Sequence, residues 1–164
     1  MSTLAAYPHP SRELLQPSSA CTNDDVTRIL RLEAERLTLP ISWQKKMEAV
    51  DIVIDTFRKH QKSNWDGYDA APISEAACAE AILFLKKLPS TIPSPDVIPN
   101  PDGDVSLEWY IDQRLLFVAT FSGTGIIAFA GVFGKGSKVH GTELFTESIP
   151  SSVVENLCRL FSQG

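Results

Sequence analysis

Hydrophobic positions recur with a period of about 3.6 residues between Val26 and Leu88 and with strand-like alternation between Val97 and Phe145. A first helix is predicted from the capping group Thr22-Asn23-Asp24-Asp25, with Val26, Ile29, Leu30, Ala34 and Leu37 as its apolar stripe and Pro40 as its stop. A second is predicted from about Ser42 to Gln61, where Trp43, Met47, Val50, Ile54 and Phe57 form a narrow seam. Its end gathers Arg58, Lys59, His60 and Lys62, cations that suit the negative end of a helix dipole. The stretch Asn64-Trp65-Asp66-Gly67-Tyr68-Asp69-Ala70-Ala71-Pro72 reads as a loop, because Asp-Gly favours positive φ and Pro72 disfavours helical geometry at Ala71. Ser74 then caps a third helix, expected to be the most buried: Ala77, Cys78, Ala81, Ile82, Phe84, Leu85 and Leu88 cover more than one stripe. Glu80, Lys86 and Lys87 are left for its wet side.

Past the prolines between Pro89 and Pro95, the alternation is that of strands. A short Val97-Ile98 strand leads through the turn Asn100-Pro101-Asp102-Gly103 into a strand with Val105, Leu107, Trp109 and Ile111 on one face. Arg114 to Phe121 and Gly125 to Phe133 are apolar on both faces and read as central strands, and Lys138 to Phe145 reads as the edge. A closing helix from about Pro150 turns Val153, Leu157 and Phe161 inward. Helices, then a meander, then a helix predict an α+β fold with helices packed on one face of a small antiparallel β-meander. Residues 1–21, punctuated by Pro8, Pro10 and Pro17, read as an irregular N-terminal arm, 22–40 as an N-terminal helix and 41–164 as a single α+β domain.

Composition narrows the function classes. With 164 residues, 43% of them hydrophobic, the chain sustains a core without metal or disulfide staples, and no apolar run reaches the roughly 20 residues of a membrane span. The net charge of −5 opposes general nucleic-acid binding, for which Lys45, Lys46, Lys86 and Lys87 would be the local exception. Cys21, Cys78 and Cys158 form no C-x-x-C pair, and no apolar leader follows the N-terminus, so a cytoplasmic protein without membrane contact is expected. Cys78 and Cys158 fall on apolar helix faces and read as packing.

Motifs for chemistry are sparse. Gly131, Gly134 and Gly136 around Lys135 lack the spacing of a phosphate-binding loop and read as a hairpin turn, as does Ser122-Gly123-Thr124-Gly125. No serine sits in a nucleophile elbow, and no closely spaced histidine pair announces a metal, so no catalytic residue, metal ligand or cofactor is assigned. The enzymatic alternative is a small metal-dependent hydrolase or nuclease that would need Asp66, Glu108, His140 and Glu143 to converge. Trp65 and Tyr68 either anchor their loop or supply a binding hot spot.

The segments N-W-D-G-Y-D-A-A-P, P-D-G-D-V-S-L-E-W and V-H-G-T-E-L-F, within residues 43–162, resemble a set of small, mostly uncharacterised bacterial proteins that share an N-W-D-G-Y-x-A-x-P segment. The resemblance implies a bacterial, cytoplasmic α+β protein of accessory type and carries over no catalytic residue. Acidic charge, the absence of a catalytic constellation and the N-terminal arm favour a non-catalytic interaction or regulatory subunit, antitoxin-like, immunity-like or defence-associated. Its protein partner would touch Trp65, Tyr68, Glu108 and Tyr110, and the edge strand also invites homo-oligomerisation.

Overall fold

A computed structural model describes residues 23–37 and 40–162. The arm over 1–21, Cys21 and the capping position Thr22 lie outside the described residues. The chain divides between residues 38 and 39 into two units. In the first, helix α1 spans Asn23–Leu37 and carries an exposed ion pair one turn apart, Arg31 Nε to Glu35 Oε1 at 3.6 Å.

The second unit runs α2 (Ile41–Lys59), α3 (Glu75–Lys87), β1 (Asp96–Pro99), β2 (Val105–Asp112), β3 (Leu115–Phe121), β4 (Ile126–Phe133), β5 (Ser137–Leu144) and α4 (Ser151–Ser162). The five strands pair antiparallel in chain order, so the sheet is the meander that the alternation predicts. α3 lies against β2 and β3, α4 against β3 and β4, and α2 packs beside α3 at the β1 margin. Every helix of this unit therefore sits on the same face of the sheet, which makes the fold α+β.

Strand register defines that inner face. Val105 pairs with Phe121, Leu107 with Ala119 and Trp109 with Phe117, and these six side chains are buried. Phe84 of α3 drops into the middle of them, its ring centroid 5.2 Å from that of Phe121, 5.8 Å from Phe145 and 6.3 Å from Trp109. α4 closes the remaining area with Val153, Leu157 and Leu160, all fully buried. Phe161, expected inward, is half-buried beside them. α3 is capped as its sequence predicts, Ser74 Oγ accepting the Ala77 amide at 3.3 Å, and α2 ends where His60 N–H donates to the Thr56 and Phe57 carbonyls.

Four local expectations are corrected. The buried side of α2 is wider than the predicted seam: Lys46, Ala49, Val53 and Thr56 join Val50, while Met47, Ile54 and Phe57 pack against the core partly buried and Trp43 stays 42% exposed. Lys46 lies on that side as a covered stem, only 4% exposed, with its Nζ donating to the Leu88 carbonyl just beyond the end of α3. A hydropathy pattern counts lysine as polar and so leaves Lys46 off the buried side. Ile111 is exposed because the β2–β3 register shifts between Tyr110 and Asp112, a bulge that releases Ile111 from the inward alternation. Cys158 is exposed on α4, whereas Cys78 is buried as expected, its thiol pushed up to about 11 by desolvation and then by Glu75. Glu80 is half-buried rather than on a wet side: its carboxylate accepts the amides of Gly123, at 2.9 Å, and Gly125, fastening the β3–β4 turn onto α3.

Candidate functional site

The loop between α2 and α3 is ordered by its own polar groups. Asp66 Oδ1 accepts the amides of Tyr68 (2.8 Å) and Ala70 (3.2 Å), and Asn64 Oδ1 accepts that of Asp69 (2.9 Å). Asn64 and Asp69 take positive φ, a geometry their short polar side chains tolerate. Trp65 donates Nε1–H to the Ala71 carbonyl at 2.8 Å and meets His60 edge-on, 4.4 Å between ring centroids. His60 Nδ1 lies 2.7 Å from the Thr56 carbonyl, an acceptor only, so Nδ1 carries the proton and donates it there.

This loop docks on the β1–β2 turn. Ala71 N–H donates to the Pro101 carbonyl (2.7 Å) and Ser74 N–H to the Gly103 carbonyl (2.8 Å). Gly103 has a φ of +92°, and a Cβ there would stand 2.8 Å from the Pro72 carbonyl oxygen. The N-W-D-G-Y and P-D-G-D segments, 30 or more positions apart, are thus two halves of one junction. Trp65 is a half-buried anchor of the junction, while Tyr68 is 89% exposed at its tip. Next to it, Asp104 has its carboxyl held above the usual carboxylate range by desolvation and by the neighbouring charges of Asp102 and Glu80.

That shift has a defined sign. Between its ordinary value and the raised one, Asp104 keeps in the folded chain a proton that the unfolded chain has released, so its contribution to stability falls as the pH rises through this window. Replacing Asp104 by Asn is expected to raise the melting temperature relative to the unmodified chain more at pH 7 than at pH 4. Thermal melts at the two pH values check it; a pH-independent gap between the two chains would contradict the assignment.

The four residues of the hydrolase alternative do not come together. Glu108 and His140 share the outer face of the sheet and one row across it, but β3 and β4 separate them, a distance of about 14 Å at the usual strand spacing. Glu143 pairs with Ile127 on the opposite, helix-covered face, where it accepts a hydrogen bond from Ser152 Oγ at 3.0 Å. Asp66 is committed to its own loop. Among the described residues no three His, Cys, Asp or Glu side chains are grouped as metal ligands would be. Of the basic set, Lys46 is buried, while Lys45, Lys86 and Lys87 are exposed.

Of the expected contacts, Glu108 and Tyr110 lie on the outer face of β2, while Tyr68 stands at the tip of the loop between α2 and α3. Around Glu108 and Tyr110 the outer face continues through Leu116 and Val118 of β3 and Ala128, Ala130 and Val132 of β4, all half-buried or exposed. No helix of the second unit covers it. Near the β1–β2 turn it carries a polar chain in which Asn100 Nδ2 donates to Ser106 Oγ (2.9 Å), itself 2.8 Å from Thr120 Oγ1. These β3 and β4 positions were not singled out by motif, although their two-sided apolar pattern marks them. Elsewhere a cleft of about 290 Å³, lined by Ile41, Lys45 and residues 90–94, holds no pairing of an acid with a base. Among the described residues no helix is long and apolar enough to cross a membrane. Comparison of the chain with protein-family models, with curated proteins and with solved structures returned no match.

Proposed function

We propose that this chain is a non-catalytic interaction module, an accessory or regulatory subunit whose contact surface is the outer face of the sheet. The observation that carries this reading is the composition of β3 and β4. A sheet with helices on one side normally turns polar residues outward, yet here Leu116, Val118, Ile126, Ala128, Ala130 and Val132 face out with only Thr120 among them. Apolar surface of that extent is a binding site for another protein surface. Glu108 and Tyr110 form its rim on β2, an arrangement of apolar centre and polar margin common to protein interfaces. The exposed ring of Tyr68, held on a rigid loop, is a separate contact outside this face.

The test is Val118→Arg in the tagged full-length chain. Val118 is half-buried at the centre of the face, and the new guanidinium would stand beside Glu108 on the neighbouring strand, so the variant is expected to melt as the unmodified chain does. The unmodified chain should recover a stoichiometric protein from its native source, either another polypeptide or an untagged copy, and the variant should not. Identical recovery by both chains, or recovery of nothing by either, would overturn the proposal.

A further inference from the structure

The outer face carries charge in a pattern that its apolar centre alone does not explain. One row across the sheet reads Asp96, Glu108, Val118, Ala130, His140 on successive strands. The next reads Tyr110, Leu116, Val132, Lys138. Carboxylates therefore occupy the β1–β2 margin and the basic groups Lys138 and His140 the β5 margin, with aliphatic side chains between. β1 contributes only four residues, so the broad part of the face is β2 to β5, each seven or eight residues long.

We infer that the occupant of this face is a second copy of the same chain, related by a two-fold axis that runs parallel to the strands between β3 and β4. This rests on the reading of the outer face as a contact surface. Rotation about such an axis turns the face over and exchanges its margins while keeping each row level with itself. Glu108 then meets His140 of the other copy with Lys138 one row away, Leu116 meets Val132, and Val118 meets the smaller Ala130, each contact made twice as an isologous interface requires. Two sheets packed face to face lie about 10 Å apart with strands nearly aligned, a spacing that side chains of this size fill. The other in-plane axis, perpendicular to the strands, would set the acidic margin of one copy on the acidic margin of the other. The charges thus choose between two otherwise equivalent packings, which is the role charge commonly plays at interfaces.

Sedimentation equilibrium of the purified full-length chain tests the inference. The unmodified chain is expected to be a dimer. Glu108→Lys alone, and Lys138→Glu combined with His140→Glu, are each expected to weaken dimerisation by about tenfold or more through like-charge contacts. An equimolar mixture of the two variants should recover a dimer, because every reversed charge then faces its complement. A monomer at all concentrations, a dimer indifferent to both variants, or a mixture that stays dissociated would each overturn the inference. If the purified chain is monomeric while Val118→Arg still abolishes capture of a different protein, the second copy is excluded and the interaction module stands; if capture fails as well, both fall.

Discussion

Phe84→Ala is expected to remove about 3–5 kcal/mol of folding stability, the usual range for truncating a fully buried phenylalanine. Phe84 has no exposed surface, and its ring meets Trp109, Phe121 and Phe145, which come from two strands and the segment after β5. These neighbours are held by their own backbone pairing and by the Trp109 Nε1 bond to the Pro93 carbonyl, 2.8 Å, so the sheet cannot collapse into the space left behind. A cavity persists, and the loss approaches the upper part of the range. Urea unfolding of Phe84→Ala beside Leu83→Ala, an exposed neighbour on the same helix, measures it. A loss below about 1.5 kcal/mol would show that the core rearranges around this position.

Gly123→Ala is expected to destabilise by about 3 kcal/mol or more, combining left-handed backbone strain with overpacking. Gly123 has a φ of +81°, and a Cβ there would fall 2.5 Å from Ala76 Cβ and 2.9 Å from the Ala77 amide nitrogen. Relief would require the β3–β4 turn to lift off α3, breaking the bonds from Gly123 and Gly125 to the Glu80 carboxylate. Gly136→Ala separates the two effects, since Gly136 has a φ of +88° but nothing within 4 Å of its virtual Cβ. It should lose only the strain, about 1–2 kcal/mol. Equal losses at the two glycines would mean that the turn does not bear on α3.

The order of elements, the meander and the buried face of α3 are legible in the sequence because each follows from local periodicity and capping. What escapes it depends on partners distant in the chain. Lys46 is buried against a carbonyl beyond the end of α3, and Glu80 serves a turn more than 40 residues away. Glu108 and His140 alternate onto the same face as their positions imply, and the meander order itself keeps them apart, with β3 and β4 between them. The outer face is the instructive case. The two-sided apolar character of β3 and β4 is plain in the sequence, and read as centrality within the sheet it is right, yet it says nothing of whether the second side is covered by the same chain. Trp65 and Glu143, which stand in the motif segments, respectively donate to the Ala71 carbonyl and accept from Ser152 of α4, bonds that spacing alone does not encode.

The position of α4 after the whole sheet bears on synthesis. Helices α2 and α3 leave the ribosome before the strands they cover, but α4, which seals Val153, Leu157 and Leu160 over β3 and β4, is made after the whole sheet. A nascent chain that has just completed β5 therefore displays apolar surface on both sides of β4 at once. That interval, when apolar surface is exposed, is where a chaperone finds its target, and the emergence of α4 covers the inner side.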